Sequence, residues 1–407
     1  MMRRIFLIFS TLFIINLLAA CGGSSGSTTY PATLTSTFGT PTPTSDGFTV
    51  QITNYDATYT YSGTATASGT VTVSGSGLVT VTGIAPNTSS TATITTSKVQ
   101  ASDGSATVSA TSLRRLLAFV SNYLSDTISV LNPLTGSVES TIAIGVSAPV
   151  GLVASRVGTK IYVANATGNS VSVIDTAINS VVSTIIVGSS PRKLAISLDG
   201  SKVFAANFSS NTVSIIDTAT NSVVSTVTVG NSPFGVASSP DGSTGYVANS
   251  SDNTVSVIDA TTNSVVRTIT VGNSPYGVAT SPNGSKVYVT NLADGTISII
   301  NTANNIVEST ITVGNFPFEI ALSPDGNKIY VANYGAVLVL NAATNTVAST
   351  IMVGADPIGV AVSPDGTMVY VTNRGDGTVS LIDTRTNTVV STTTVGTTPE
   401  GVTFNSR

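Results

Sequence analysis

The amino-acid sequence predicts an all-β protein: a small β-sandwich followed by a seven-bladed β-propeller. Three observations carry the prediction. The tetrapeptide Tyr-Val-Ala/Thr-Asn, or a looser variant of it, ends at Asn122, Asn165, Asn207, Asn249, Asn291, Asn333 and Asn373, at intervals of 43, 42, 42, 42, 42 and 40 residues. Repeats of this length belong to radial or solenoid arrays. Each repeat holds four short apolar runs and lacks a 3.6-residue helical period, which suits four strands per blade. Upstream, residues 31–112 are rich in Thr, Ser and Val and alternate between turn residues, as the strands of a sandwich do.

Composition narrows the function before any motif is read. Of 407 residues, 41% are hydrophobic and 9% charged, against roughly 25% charged in an average soluble chain. Low charge argues against disorder and against nucleic-acid binding. Histidine is absent, so there is no Ser-His pair, no His metal ligand and no imidazole proton shuttle. The single cysteine excludes an internal disulfide and a Cys metal cluster. No cofactor and no metal site are expected.

The N-terminus opens with Arg3 and Arg4, followed by an apolar run of 16 residues from Ile5 to Ala20. A spanning helix needs about 20, so residues 1–20 read as a secretory signal. The run ends in Leu18-Ala19-Ala20-Cys21-Gly22, which resembles a bacterial lipobox. The resemblance implies a lipidated Cys21 and a membrane partner reached through that anchor. The competing reading is a plain signal peptide with an incidental cysteine. Loss of Arg3 and Arg4 lowers the 16 basic side chains to 14 against 20 acidic, a net charge of −6. An acidic body is not drawn to anionic lipid, so the acyl chains would do the anchoring. Gly22, where some lipoproteins carry an Asp retention signal, points to the outer membrane or cell surface. Residues 21–30 lack an apolar run and read as a tether of about 15–20 Å reach.

In the 31–112 segment, Phe48-Thr49-Val50-Gln51-Ile52, Val71-Thr72-Val73 and Leu78-Val79-Thr80-Val81 alternate apolar and polar. Gly83-Ile84-Ala85-Pro86-Asn87-Thr88, followed by alternation from Thr91 to Thr95, resembles the E–F corner of a fibronectin type III or Ig-like domain. Tryptophan is absent, and Ser90 stands where that family often has a tyrosine. The resemblance implies a spacer or adhesive module.

Residues 113–407 hold the repeats. Strands A to D are lettered from the axis outward. The fourth copy shows them around Phe234–Ala237, Gly245–Asn249, Thr254–Asp259 and Val265–Val271. The region starts on a B strand, Leu116–Asn122, and ends on an A strand, Pro399–Phe404. The last strand therefore completes the first blade and closes the ring without an open inner edge. Pro-Asp-Gly at 240–242, 324–326 and 364–366, and Pro-Asn-Gly at 282–284, suit A–B turns with glycine at positive φ. Asp217 and Asn221, or Asp383 and Asn387, suit side-chain-capped C–D turns. Tyr-Val-Thr-Asn at 288–291 and 370–373, Ser-Pro-Asp-Gly and Thr-Val-Ser-Val-Ile-Asp resemble the YVTN-type β-propeller repeat of surface-layer and secreted proteins. The resemblance implies an extracytoplasmic binding scaffold.

Function, if local, sits where the repeats disagree. Two residues after the A-strand proline stand Gly151, Lys193, Gly235, Gly277, Glu319, Gly359 and Gly401. Lys193 and Glu319 lie in blades 3 and 6, nearly opposite in a ring of seven. They are expected at the top of the channel, as an ion pair or as contacts to a polar ligand; the competing reading turns both to solvent. Blade 6 has a B–C hairpin two residues shorter than its peers, and Phe316, Phe318 and Tyr334 surround it. These are expected to cluster near Arg374 and Asp356, as a binding surface or as repair packing. Arg192 and Glu400 are further ligand-binding candidates. Asp126, Asp252, Asp294 and Asp376 recur in the B–C hairpins, about one carboxylate each against the six to eight oxygens calcium takes, so Asx-turn roles are favoured and calcium stays an open question. The favoured function is a lipid-anchored envelope or surface protein that presents the propeller to a protein or glycan ligand, and not an enzyme. The alternative is an extracytoplasmic lactonase- or lyase-like enzyme using channel residues.

Overall fold

The computed structural model describes residues 33–44, 46–84, 89–98, 102–111, 116–133, 135–145, 147–197 and 199–405. The expected signal over 1–20, Cys21, the tether over 21–30 and the corner residues 85–88 lie outside them. No helix occurs among the described residues, and the chain forms two compact units, one within Met1–Leu113 and one within Arg114–Arg407.

The first unit has seven strands: β1 Thr42–Thr44, β2 Gly47–Gln51, β3 Thr60–Ala65, β4 Thr70–Val73, β5 Leu78–Thr82, β6 Ser89–Ser97 and β7 Gly104–Thr111. They form two sheets, in the orders β1-β2-β5-β4 and β3-β6-β7. That is the order of an immunoglobulin-type Greek-key sandwich. Two-residue alternation decides which side chains go inside. Phe48, Val50, Val79 and Val81 of one sheet pack with Ala92 and Ile94 of the other. Ser90 is buried and donates its hydroxyl to the Thr66 carbonyl at 3.0 Å.

The second unit contains seven four-stranded antiparallel sheets among the described residues. Blade 4 sets the pattern: A Pro233–Ser238, B Thr244–Asn249, C Thr254–Asp259 and D Ser264–Thr270. Pro399–Phe404 pairs with Ala118–Asn122 and completes blade 1, as the strand phase predicts. The A strands touch one another in cyclic order around the axis. Both faces of every blade are therefore core. Phe204, Val213 and Ile215 of blade 3 meet Val236, Val247 and Ile258 of blade 4. The opposite face of blade 4, with Tyr246, Val255 and Val257, meets Val278, Val287 and Ile300 of blade 5. Each fully buried Val or Ile contributes roughly 1.5–3 kcal/mol, which is how a chain poor in ion pairs holds together.

The repeated asparagine has a structural task. Asn249 is fully buried and donates to Thr254 Oγ1 at 3.0 Å and Ser256 Oγ at 2.9 Å. Asn122, Asn165, Asn207, Asn291 and Asn373 make the same two bonds in their blades. The serine alternating with valine in strand C is thus an acceptor as well as a small side chain. The A–B turns take the expected form, with Gly242 at φ 74° and Asp241 accepting from the Ser239 hydroxyl and the Ser243 amide. In the C–D turns Asp217 accepts from the amides of Ala219 and Thr220, and Asn221 turns the chain at φ 51°.

Blade 6 departs from the pattern. Its A strand is only Ile320–Leu322. Ala336 and Leu338 stand opposite Asn333 and Val331, where blade 4 has Thr254 and Ser256. With those acceptors gone, Asn333 donates to the Val313 carbonyl at 3.0 Å and accepts from the Tyr334 amide at 2.8 Å.

Candidate functional site

The D–A loops and B–C hairpins share one face of the propeller and fix its side chains. The residue before each A-strand proline is left-handed: Ala148, Ser190, Ser232, Ser274, Phe316, Asp356 and Thr398 have φ between 48° and 55°. Proline disfavours this conformation in its predecessor, so the hairpins must hold it. Ser232 donates its amide to Asn211 Oδ1 at 2.9 Å, and its carbonyl accepts from the Ser250 amide at 3.0 Å. Asp252 and Asp294 accept the backbone and side-chain N–H groups of Asn231 and Asn273, while Asp126 and Asp376 accept amides of their own D–A loops. These carboxylates serve the loops. No group of three or more acidic or thiol side chains is placed to hold a metal among the described residues.

Two residues past the proline, glycine is required by crowding. A Cβ on Gly235 would lie 2.0 Å from the Tyr276 carbonyl oxygen, and one on Gly359 2.3 Å from that of Glu400. The two exceptions meet across the channel: Lys193 Nζ lies 3.1 Å from Glu319 Oε1, with side chains only 12% and 16% exposed. Of the readings left open for this pair, the ion pair is the observed one. The pair lines a cavity of about 170 Å³ together with Leu152, Leu194, Val236 and Val278, and most of the exposed wall is polar. Lys193 and Glu319 therefore sit in a small polar cavity.

One residue past the proline, the ring reads Val150, Arg192, Phe234, Tyr276, Phe318, Ile358 and Glu400. These positions lie one place before the glycines in each repeat, but their stacking into one aromatic row is the feature that sequence reasoning missed. Phe208 stands edge-on to Phe234 with centroids 6.1 Å apart. Phe234 stacks on Tyr276 at 4.0 Å, and Tyr276 meets Phe318 edge-on at 5.6 Å. The Arg192 guanidinium lies over Phe208 and Phe234, 5.3 and 5.9 Å from their centroids.

The opposite side of the mouth is charged. Arg374 reaches Glu400 at 3.8 Å and Asp356 at 4.0 Å. Burial raises the Glu400 carboxyl above its ordinary value, with Glu319 adding to the rise and Lys193, Arg374 and Arg192 opposing it. Burial also pushes the Tyr276 phenol well up, helped by the charges of Glu400 and Glu319. Aromatic rings, three cations and three carboxylates thus converge on one opening.

The expected cluster of Phe316, Phe318 and Tyr334 is split. Phe316 and Tyr334 face each other at 6.4 Å and are 51% and 69% exposed. Phe318 instead joins the inner aromatic row through Tyr276. The left-handed turn at Phe316 sends its ring toward the hairpin, and two residues later the chain presents Phe318 to the mouth. Arg374 lies beside Asp356 as expected, and Arg192, Lys193, Glu319 and Glu400 lie with the inner row.

Residues 198–284 match the model of the YNCE-like beta-propeller family. This YNCE-like segment carries Phe208, Phe234 and Tyr276 of the aromatic row, while Arg192 and Lys193 precede it. No curated protein matches the chain. Among solved structures, the chain is similar to a functionally unknown protein from Desulfotomaculum acetoxidans, at 19% identity and TM-score 0.64 over 71% of this chain and 98% of that one. It is also similar to a candidate 6-phosphogluconolactonase from Bacteroides fragilis, at 18% identity and TM-score 0.60 over 71% and 97%. The hydrazine synthase of Kuenenia stuttgartiensis aligns at 22% identity and TM-score 0.59 over 63% and 89%. At these identities the likeness speaks for the β-propeller fold alone.

Proposed function

We propose that the chain is a lipid-anchored protein of the bacterial cell envelope, tethered through Cys21, with a fibronectin type III-like spacer and a YVTN-type seven-bladed propeller that binds a protein or glycan. The observation that supports this most is the channel mouth, where the half-buried rings of Phe234, Tyr276 and Phe318 stand beside Arg192 and Glu400. Aromatic anchors next to charged groups are typical of recognition surfaces. Histidine is absent from the sequence, so no imidazole base can serve beside Lys193 and Glu319. The test is protease shaving of intact cells, with Cys21→Ala as the unanchored control. A propeller released from intact cells supports display at the surface; one protected until the envelope is opened excludes display and adhesion.

The second reading is an extracytoplasmic enzyme. Its support is the raised carboxyl of Glu400 within the field of Lys193, a possible acid–base pair, together with the candidate lactonase among the similar folds. Lactone turnover abolished by Glu400→Gln would replace the binding reading.

A further inference from the structure

We infer that the channel mouth takes a sugar carrying a carboxylate, a uronic acid residue. The inference rests on the binding reading above and names its ligand. It starts from the charges. Lys193 is paired with Glu319, and Arg374 with Glu400 and Asp356. Arg192 is left over. Among the described residues it has no ion pair and no hydrogen bond, and its Nε is buried without a partner. Its contacts are the rings of Phe208 and Phe234, and beyond them its charge acts on Glu400 only from a distance, without an ion pair. A half-buried guanidinium without acceptors carries a desolvation cost that a ligand can offset. Its fork fits a carboxylate with two parallel hydrogen bonds.

The surroundings set the rest of the ligand. Next to Arg192 runs the apolar row Phe234, Tyr276 and Phe318; across the mouth stand Glu400 and Asp356, which accept hydrogen bonds. A uronic acid ring has an apolar C–H face for the row, hydroxyls for the acceptors and one carboxylate for the spare cation. A phosphate dianion would bring a second negative charge toward Glu319 and Glu400. A neutral sugar would leave Arg192 unpaired.

The test is calorimetric titration of the full chain in detergent with trimers of galacturonate and of mannuronate, and with their methyl esters. An acid trimer is expected to bind at least tenfold more tightly than its ester. Arg192→Gln is expected to lose at least tenfold, Arg192→Lys less, and Arg267→Gln, on the exposed outer strand of blade 4, nothing. Equal binding of acid and ester, binding of neither acid, or an Arg192→Gln variant that binds like wild type would each overturn the inference. The binding reading is judged separately: capture of neutral glycans or protein that depends on Phe234 would keep it standing while the uronate assignment falls.

Discussion

Blades 4 and 6 are copies of one repeat, and they solve the same packing problem differently. In blade 4, Asn249 gathers Thr254 and Ser256, the A strand pairs from Pro233 onward, and Gly235 lets the neighbouring backbone approach. In blade 6 Ala336 and Leu338 stand where those acceptors were, pairing of the A strand starts at Ile320, and Glu319 takes the glycine position. The buried polar staple is lost, while the Glu319 amide still donates to the Ile358 carbonyl of the next blade at 3.3 Å. The blade supplies Phe318 and Glu319 to the channel mouth and Phe316 and Tyr334 to the rim. Regularity in this fold marks scaffold; the irregular blade supplies part of the aromatic and charged mouth.

The sharpest way to break this comparison is at the glycine position. Gly235→Ala drives a Cβ into the Tyr276 carbonyl and is expected to cost about 3 kcal/mol by overpacking. Replacing both partners, Lys193→Met with Glu319→Leu, removes an ion pair whose side chains are only 12% and 16% exposed without stranding either charge and is expected to cost about 1 kcal/mol or less. Urea unfolding of the two variants measures the contrast, and equal losses would dissolve it. Next comes the asparagine. Asn249→Ala strands the buried Ser256 hydroxyl and the half-buried one of Thr254 and is expected to cost about 2 kcal/mol, whereas Asn333→Ala, with its single side-chain donation to Val313, is expected to cost about 1 kcal/mol. The same unfolding curves decide the order.

The smallest effect is in pH. Hydrogen bonds from the Ser239 hydroxyl and the Ser243 amide lower the Asp241 carboxyl. Its stabilisation is present above the unfolded value and fades as pH falls. Glu400 is raised by burial, so its folded form holds its proton longer and the protein loses stability as pH rises through that carboxyl. Relative to wild type, Glu400→Gln is therefore expected to gain melting temperature as pH rises above about 4.5, and Asp241→Asn to lose it as pH rises toward and just past 3.8. Parallel curves for the two variants would show that scaffold and mouth carboxylates are alike.

Much of this was legible before any fold was seen. The spacing of the asparagines and the phase of the first and last strands specify the closed ring, because backbone pairing repeats wherever its turns repeat. Lys193 and Glu319 were legible as departures at a position where their peers are glycine. The aromatic row was not, since Phe234, Tyr276 and Phe318 look like ordinary strand residues until the A strands are brought side by side. Nor was the split between Phe316 and Phe318, which depends on a left-handed backbone at Phe316 against the local preference before proline.

By itself, then, the sequence determined the strands, the turns and the order of blades, all of which follow from short-range alternation and turn chemistry. Only the tertiary structure decided who meets whom across the axis: Lys193 with Glu319, Arg374 with Glu400, and Arg192 with the rings of Phe208 and Phe234. Residues 126 positions apart in the chain come within 3.1 Å because a closed ring converts repeat number into angle, and no local pattern encodes that distance.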